Sequence, residues 1–304
     1  MDRMTGGWVS GGVGVLIFSG SLPATRVAVG GFDPVFLTGA RAVIAGVLGF
    51  CLLLVFRAKR PAMPDLLLLV AVAIGVVVGF PLLTALALQH MTSAHALVFI
   101  GLLPLATAVF GVLRGGERPR PAFWLCALAG AGLVAGFAWA RAGGGVATGD
   151  LLMLGAVLVC GFGYAEGGRL SRTLGGWQVI SWALVLALPV MLAVAVVAAP
   201  AGFAAVPLSA WLGLAYVALF SMLIGFIFWY RGLALGGIAA VGQLQLLQPL
   251  LGLALAALIL GEAVDGAMLA VTVAVVACVA GARSFAGPPA LPRSIGPRRD
   301  GRGL

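Results

Sequence analysis

Apolar residues run through this chain in blocks of about twenty, separated by short clusters of charge, glycine and proline. An α-helix needs ~20 such residues to cross ~30 Å of hydrocarbon. The breaks between blocks predict helices over Gly7–Val29, Pro34–Phe56, Asp65–Leu88, Ala94–Leu113, Ala122–Ala140, Asp150–Gly167, Trp177–Ala198, Ser209–Tyr230, Ala239–Leu260 and Gly266–Gly281. The first apolar run, Gly7 to Gly30, is too long for the apolar core of a signal peptide, and a second span follows at once. It is therefore read as a retained helix. The fold class this pattern predicts is an all-α integral membrane protein with ten transmembrane helices.

Composition agrees with lipid as the main solvent. Of 304 residues, 62% are hydrophobic and only 9% charged, against about 25% charged in soluble domains. The net charge of +9 raises the question of nucleic acid. The charges, however, sit in short loops and the C-terminal tail, without the aromatic–basic interleaving of single-strand binders. Basic residues in short loops set orientation instead. With a cytoplasmic N-terminus, the inner segments hold Arg3; Arg57, Lys59 and Arg60; Arg114, Arg118 and Arg120; Arg169 and Arg172; Arg231; and the tail arginines. The outer loops hold Arg141 alone. The expected location is thus the cell (inner) membrane, multi-pass, with both termini cytoplasmic. The Pro-, Gly- and Arg-rich tail over 284–304 has too few apolar residues for a core and is expected to be disordered. Cys51, Cys126, Cys160 and Cys278 lie inside apolar runs, which is neither a disulfide framework nor metal-ligand spacing.

The chain also repeats. Leu103-Pro104-Leu105 leads to Gly116-Glu117, and Gln248-Pro249-Leu250 leads to Gly261-Glu262 at the same proline-to-glutamate separation. Leu86-Ala87-Leu88 and Leu233-Ala234-Leu235 precede the two prolines. Five spans per repeat means that the second copy enters from the opposite side. Glu117 is then inside, followed by Arg118 and Arg120; Glu262 is outside, followed by Asp265. Related halves with inverted loop charge mark inverted-topology transporters.

On these residues the halves resemble the EamA repeats of the drug/metabolite transporter superfamily. Gly149-Asp150-Leu151-Leu152 opening the second half, and Arg41 early in the second span, add to the likeness. Phe18-Ser19-Gly20 stands where many relatives carry a tryptophan-glycine pair. The resemblance implies two inverted five-helix repeats, over 7–140 and 150–281, around a central cavity. It also implies secondary transport, often export of amino acids, other metabolites or drugs.

Polar residues inside the spans are the candidates for a site, because lipid penalises them. Arg41 is either a clamp for a solute carboxylate or a tie to a neighbouring helix. Glu166 is either a proton-coupling carboxylate or an interfacial partner of Arg169 one turn on. His95 is a cavity-lining or interfacial residue, and His90 a loop residue. Two histidines five apart share a helical face poorly, so no metal pair is expected. Gln245 and Gln248 share a face and line the cavity or tie helices together; Gln243 shares that face less well. Tyr164 and Trp182 are deep enough to line a cavity. Trp8, Trp124, Trp139, Trp177, Trp211 and Trp229 lie near span ends, as an aromatic belt would. Arg26 is expected to pair with Asp33. Pro104 and Pro249 are expected to kink equivalent helices as hinges. Glycines four apart, Gly7/Gly11, Gly75/Gly79 and Gly132/Gly136, invite close helix packing, most of all at Gly75/Gly79.

No nucleophile–base pair, phosphate loop or metal cluster stands out; Gly143–Gly145 lacks the Lys-Ser/Thr of a P-loop. The expected function is a non-enzymatic, cofactor-free secondary transporter that exports a small-molecule solute across the lipid bilayer by alternating access. The alternatives are a passive channel of the same fold and a non-transport membrane subunit.

Overall fold

The computed structural model describes residues 3–115, 120–141, 147–236 and 241–284. Gly116 and Glu117, the Gly143–Gly145 loop, the expected start of a span at Ala239, the side chain of Gln243 and the tail beyond Ser284 lie outside them. The described residues are helical without a strand. Seven helices are long and apolar enough to cross a membrane: α1 (Thr5–Ala28), α2 (Pro34–Val55), α3 (Met63–His90), α4 (Ser93–Arg114), α6 (Thr148–Leu170), α7 (Gly176–Val197) and α8 (Leu208–Gly236). Three more carry shorter apolar stretches: α5 (Pro121–Arg141), α9 (Leu244–Leu260) and α10 (Gly266–Ser284). Helix is the only open-ended structure that satisfies its own backbone in hydrocarbon.

Several ends are fixed by the residues that interrupt the apolar pattern. Asp33 accepts from the N–H groups of Val35 and Phe36, and Pro34 opens α2. Thr92 caps α4 through the N–H of His95, at 3.2 Å. Asp265 caps α10 through Met268. Gly261 ends α9 in the left-handed region, at φ +63°, as a residue without Cβ readily does. The next residue, Glu262, reaches past its own helix. Its carboxylate accepts from the N–H of Ser93 (3.1 Å), the Ser93 hydroxyl (2.8 Å) and the N–H of Ala94 (2.8 Å). It therefore closes the N-terminus of α4, a helix distant in sequence, and not that of the helix following it. Arg26 does not pair with Asp33, whose carboxylate is committed to α2; its guanidinium donates to the carbonyl of Leu88.

Regular helix fails at related places. The first segment of α1 ends at Ser19, four residues before Pro23, where the proline ring meets the carbonyl of residue i−4. In α4 the helix stops at Ile100, turns at Gly101 and Leu102, and restarts at Leu103, just ahead of Pro104. In α9 a 3₁₀ turn over Gly242–Leu246 gives way to α-helix at Leu247, just ahead of Pro249. A π-helical stretch occupies Ala73–Gly79 in α3, and another occupies Tyr216–Ile224 in α8.

The helices pack in crossed pairs. α2 lies along α7, α5 along α10, α1 against α8, and α3 and α4 against α6. Lipid is as apolar as leucine, so small residues that admit close backbone contact matter here. A Cβ on Gly7 would lie 2.7 Å from the N of Gly236, and one on Gly232 would lie 2.7 Å from the N of Gly11. The seam between α1 and α8 is thus built glycine on glycine. Gly75 meets Gly163 across α3 and α6 in the same way, at 2.9 Å. Gly132 and Gly136 have nothing within 4 Å and are not part of a seam. Trp8, Trp124, Trp139 and Trp211 are partly exposed, but Trp229 is fully buried. It belongs to the core and not to an interfacial belt, because the glycine seam draws its stretch of α8 onto α1.

Two outcomes follow. Gly232→Val should abolish recovery of folded protein in detergent, whereas Gly132→Val should leave it unchanged, both read by size-exclusion chromatography. Glu262→Ala should cost about 1–3 kcal/mol of stability, the range for hydrogen bonds to a charged group, seen as a lowered melting temperature. Glu262→Gln should lose less, since it keeps one acceptor.

Candidate functional site

Charged and polar side chains inside the helices fall into three groups. The first surrounds Arg41, on the buried face of α2 with 4% of its surface exposed. Its guanidinium donates to the Ser221 hydroxyl at 3.3 Å, and Nε has no partner. Ser221 lies in the π-helical stretch of α8 and also accepts from Ser21 of α1 at 2.7 Å. Ser21 follows the break in α1 at Gly20, where a Cβ would lie 2.5 Å from the Tyr216 hydroxyl oxygen. Tyr216 donates at 2.8 Å to the carbonyl of Ile17, which also accepts from the N–H of Gly20 at 3.3 Å. No carboxylate among the described residues pairs with Arg41. A buried cation balanced only by a serine is costly to keep.

The second group ties α4 to α6 at both ends. His95 and Asp150 are each the third residue of their helices and meet at 3.2 Å, Nε2 to Oδ1. His95 is flanked by the rings of Phe99 and Phe137. At the far ends, Arg114 reaches Glu166 at 2.5 Å and Arg169 approaches the same carboxylate at 3.7 Å. Glu166 is fully buried. Of the two readings of the sequence, the structure shows the pairing with Arg169 one turn on and adds Arg114 of α4 as a second partner that helps cover the carboxylate. The two ties are separated by 19 residues on α4 and 16 on α6, read from the numbering, or roughly 24–28 Å at 1.5 Å per residue. The helices run parallel, since start meets start and end meets end.

The third group is aromatic. Tyr164 of α6 is buried among Phe18, Phe226 and Trp229, with ring centroids 5.7–6.4 Å away. Trp182 of α7 is half-buried, with Nε1 unpartnered. Gln245, in the 3₁₀ turn of α9, and Gln248 are both buried. Both amide atoms of Gln245 and the oxygen of Gln248 lack partners. The sequence-predicted residues therefore lie inside or partly inside the bundle but do not converge on one point. Asp150, Arg114, Ser21 and Ser221 are participants that sequence reasoning missed. The signal for Asp150 was available: it stands at the same depth from its helix start as His95.

Comparison with known proteins bears on this arrangement. The sequence profile described as "EamA-like transporter family" matches residues 7–139 and again 147–283. A Bacillus subtilis (strain 168) protein described as "Uncharacterized transporter YdeK" is 66% identical over 286 residues, covering 94% of this chain and all of that one. A solved structure titled only "Crystal structure of protein" superposes with a TM-score of 0.66 at 24% identity, over 93% of this chain and 98% of that one, which speaks to the fold alone. A multi-pass helical chain matched by that profile along nearly its whole length is a membrane transporter, and it belongs to the EamA-like transporter family.

Proposed function

We infer that the chain is a secondary transporter that exports small metabolites, such as amino acids, from the cytoplasm by alternating access. The ten helices act as ten spans in two inverted repeats, 7–140 and 150–281, with both termini cytoplasmic in the cell membrane. The observation that carries this is the helix packing. Exchanging the halves (α1 with α6, α2 with α7, and so on) maps the principal contacts onto themselves. α1 against α8 becomes α6 against α3, α4 against α6 becomes α9 against α1, and the α2–α7, α4–α9 and α5–α10 contacts map onto themselves. The π-helical stretches in α3 and α8, and the breaks before Pro104 and Pro249, exchange as well. Such pseudo-symmetry supports two related conformations in which the halves trade roles.

The polar groups take parts in this cycle. The α4–α6 pair joins the two halves. Its outer tie, His95–Asp150, and its inner tie, Arg114–Glu166, serve as the two gates. Arg41 anchors the solute carboxylate, with Tyr164, Trp182, Gln245 and Gln248 on the cavity wall. Pro104 and Pro249 are the hinges. Glu166 is the carboxylate that couples transport to protons, released when Arg114 and Arg169 part from it.

Purified protein in liposomes should show saturable counterflow of at least one solute in a panel of amino acids and other carboxylates. Rapid unsaturable flux without counterflow would indicate a channel, and no flux above empty liposomes would sink the transport reading. Arg41→Gln should reduce that flux more than tenfold without lowering the melting temperature, because the charge removed has no partner to leave stranded. Glu166→Gln should abolish pH-driven flux and spare exchange; unchanged pH dependence in that variant would exclude Glu166 from coupling.

A further inference from the structure

A cavity of about 530 Å³ opens between the turn joining α6 to α7 and the last turns of α8. None of the transport groups above lines it. One wall is cationic: Arg172 comes from the turn and Arg231 from α8. Both are exposed, and neither has an ion-pair partner among the described residues, whereas Arg169 nearby is tied to Glu166. No acidic residue lines the cavity.

The floor is the beginning of α7. Gly175 precedes that helix at φ +92° and offers no side-chain cap. A Cβ on Gly176 would lie 2.4 Å from the backbone N of Arg231, so only glycine lets α7 start this close to α8. The first N–H groups of a helix lack internal partners and carry partial positive charge. Ile227 and Leu235 lie one turn to either side of Arg231 on the same face of α8 and add apolar lining around it. Trp177 completes the rim and packs edge-on to Phe56 at 5.6 Å, at the end of α2. The basic cluster Arg57, Lys59 and Arg60 follows directly. The cavity therefore interleaves cationic and apolar lining and lies beside a cluster of arginine and lysine.

We propose that this cavity holds the phosphodiester headgroup of an acidic phospholipid. Arg172 and Arg231 bind the phosphate oxygens, the N-terminus of α7 adds its field, and an acyl chain lies along Ile227 and Leu235. Guanidinium groups suit phosphate oxygens by shape and charge. Basic pockets between helices at the inner face are where acidic headgroups are found. The apolar lining beside Arg231 selects a lipid over free phosphate, because a bare anion gains nothing from Ile227 and Leu235.

The test compares phosphatidylglycerol, phosphatidylcholine and inorganic phosphate, added to full-length protein in neutral detergent. The readouts are melting temperature and lipid retention by native mass spectrometry. Phosphatidylglycerol should stabilise the protein more than phosphatidylcholine does. Arg172→Gln with Arg231→Gln should weaken that binding roughly 30-fold, taking each arginine at its usual worth near an anionic surface. Each single variant should lose part of it. Lys59→Gln with Arg60→Gln, which removes equal charge from the same face outside the cavity, should keep it. Equal effects of the two lipids, or an equal loss in the Lys59/Arg60 pair, would overturn the site. Full stabilisation by phosphate alone would overturn the lipid as its occupant.

Discussion

Helices in lipid gain little by burying leucine against leucine, since the acyl chains they leave are equally apolar. What holds this bundle together must therefore come from contacts that lipid cannot imitate, and close backbone approach is the main one. The α1–α8 seam rests on Gly7, Gly232 and Gly236, with backbone atoms where side chains would otherwise stand. The α3–α6 seam rests on Gly75 and Gly163. These seams set where the remaining side chains fall. They bring Trp229 and Tyr230 of α8 fully inside, beside Tyr164 of α6, and so make the aromatic group at the centre. They also bring Ser221 of α8 within reach of Ser21 and Arg41.

The same solvent makes every buried charge a commitment, and this chain settles nearly all of those described by pairing them across helices. Glu262 closes the start of α4, Asp150 meets His95, and Glu166 sits between Arg114 and Arg169. Apart from Glu166–Arg169, which lie three residues apart on α6, these ties join elements distant in sequence and so add specificity to the packing as well as attraction. Arg41 departs from this rule, with one serine and no carboxylate. A chain that satisfies its other interior charges and leaves this one unbalanced has, under the proposed transport cycle, left room for a charge that comes and goes.

Apolar block length was enough to place most of the described helices along the sequence. The start of α2 at Pro34 coincides with the structure because Asp33 and Pro34 are a cap and a first-turn residue in one dipeptide. Other features were not legible. Arg26 and Asp33 look like partners by proximity, yet each is claimed by backbone groups that only the fold brings near. Trp229 sits near a span end, where belts form, but burial depends on which face the glycine seam turns inward. Glu262 stands just before a helix in the sequence, yet the helix start it closes is at Ser93, 169 residues away. Of the spaced glycines, Gly132 and Gly136 fit the pattern as well as Gly7 and Gly11, and spacing alone cannot say which faces another helix.

The irregular segments suggest why this packing need not be rigid. A continuous α-helix resists bending because each backbone bond supports the next turn. Here α3 and α8 each contain a π-helical stretch, and α4 and α9 are each broken ahead of a proline. In these places the ladder is already incomplete, so a change of angle there disrupts fewer hydrogen bonds than it would elsewhere. Under the proposed two-repeat arrangement they fall in helices that exchange when the halves are exchanged. A distortion available to one half is thus available to the other. The ties at the two ends of α4–α6 differ in kind, however: an imidazole and a carboxylate at one end, guanidiniums and a carboxylate at the other. The backbone makes the two conformations of the proposed cycle alike, and the chemistry of the ties makes them unequal. In the proposed cycle, ties of different chemistry let one signal, such as proton concentration, act on one end more than the other.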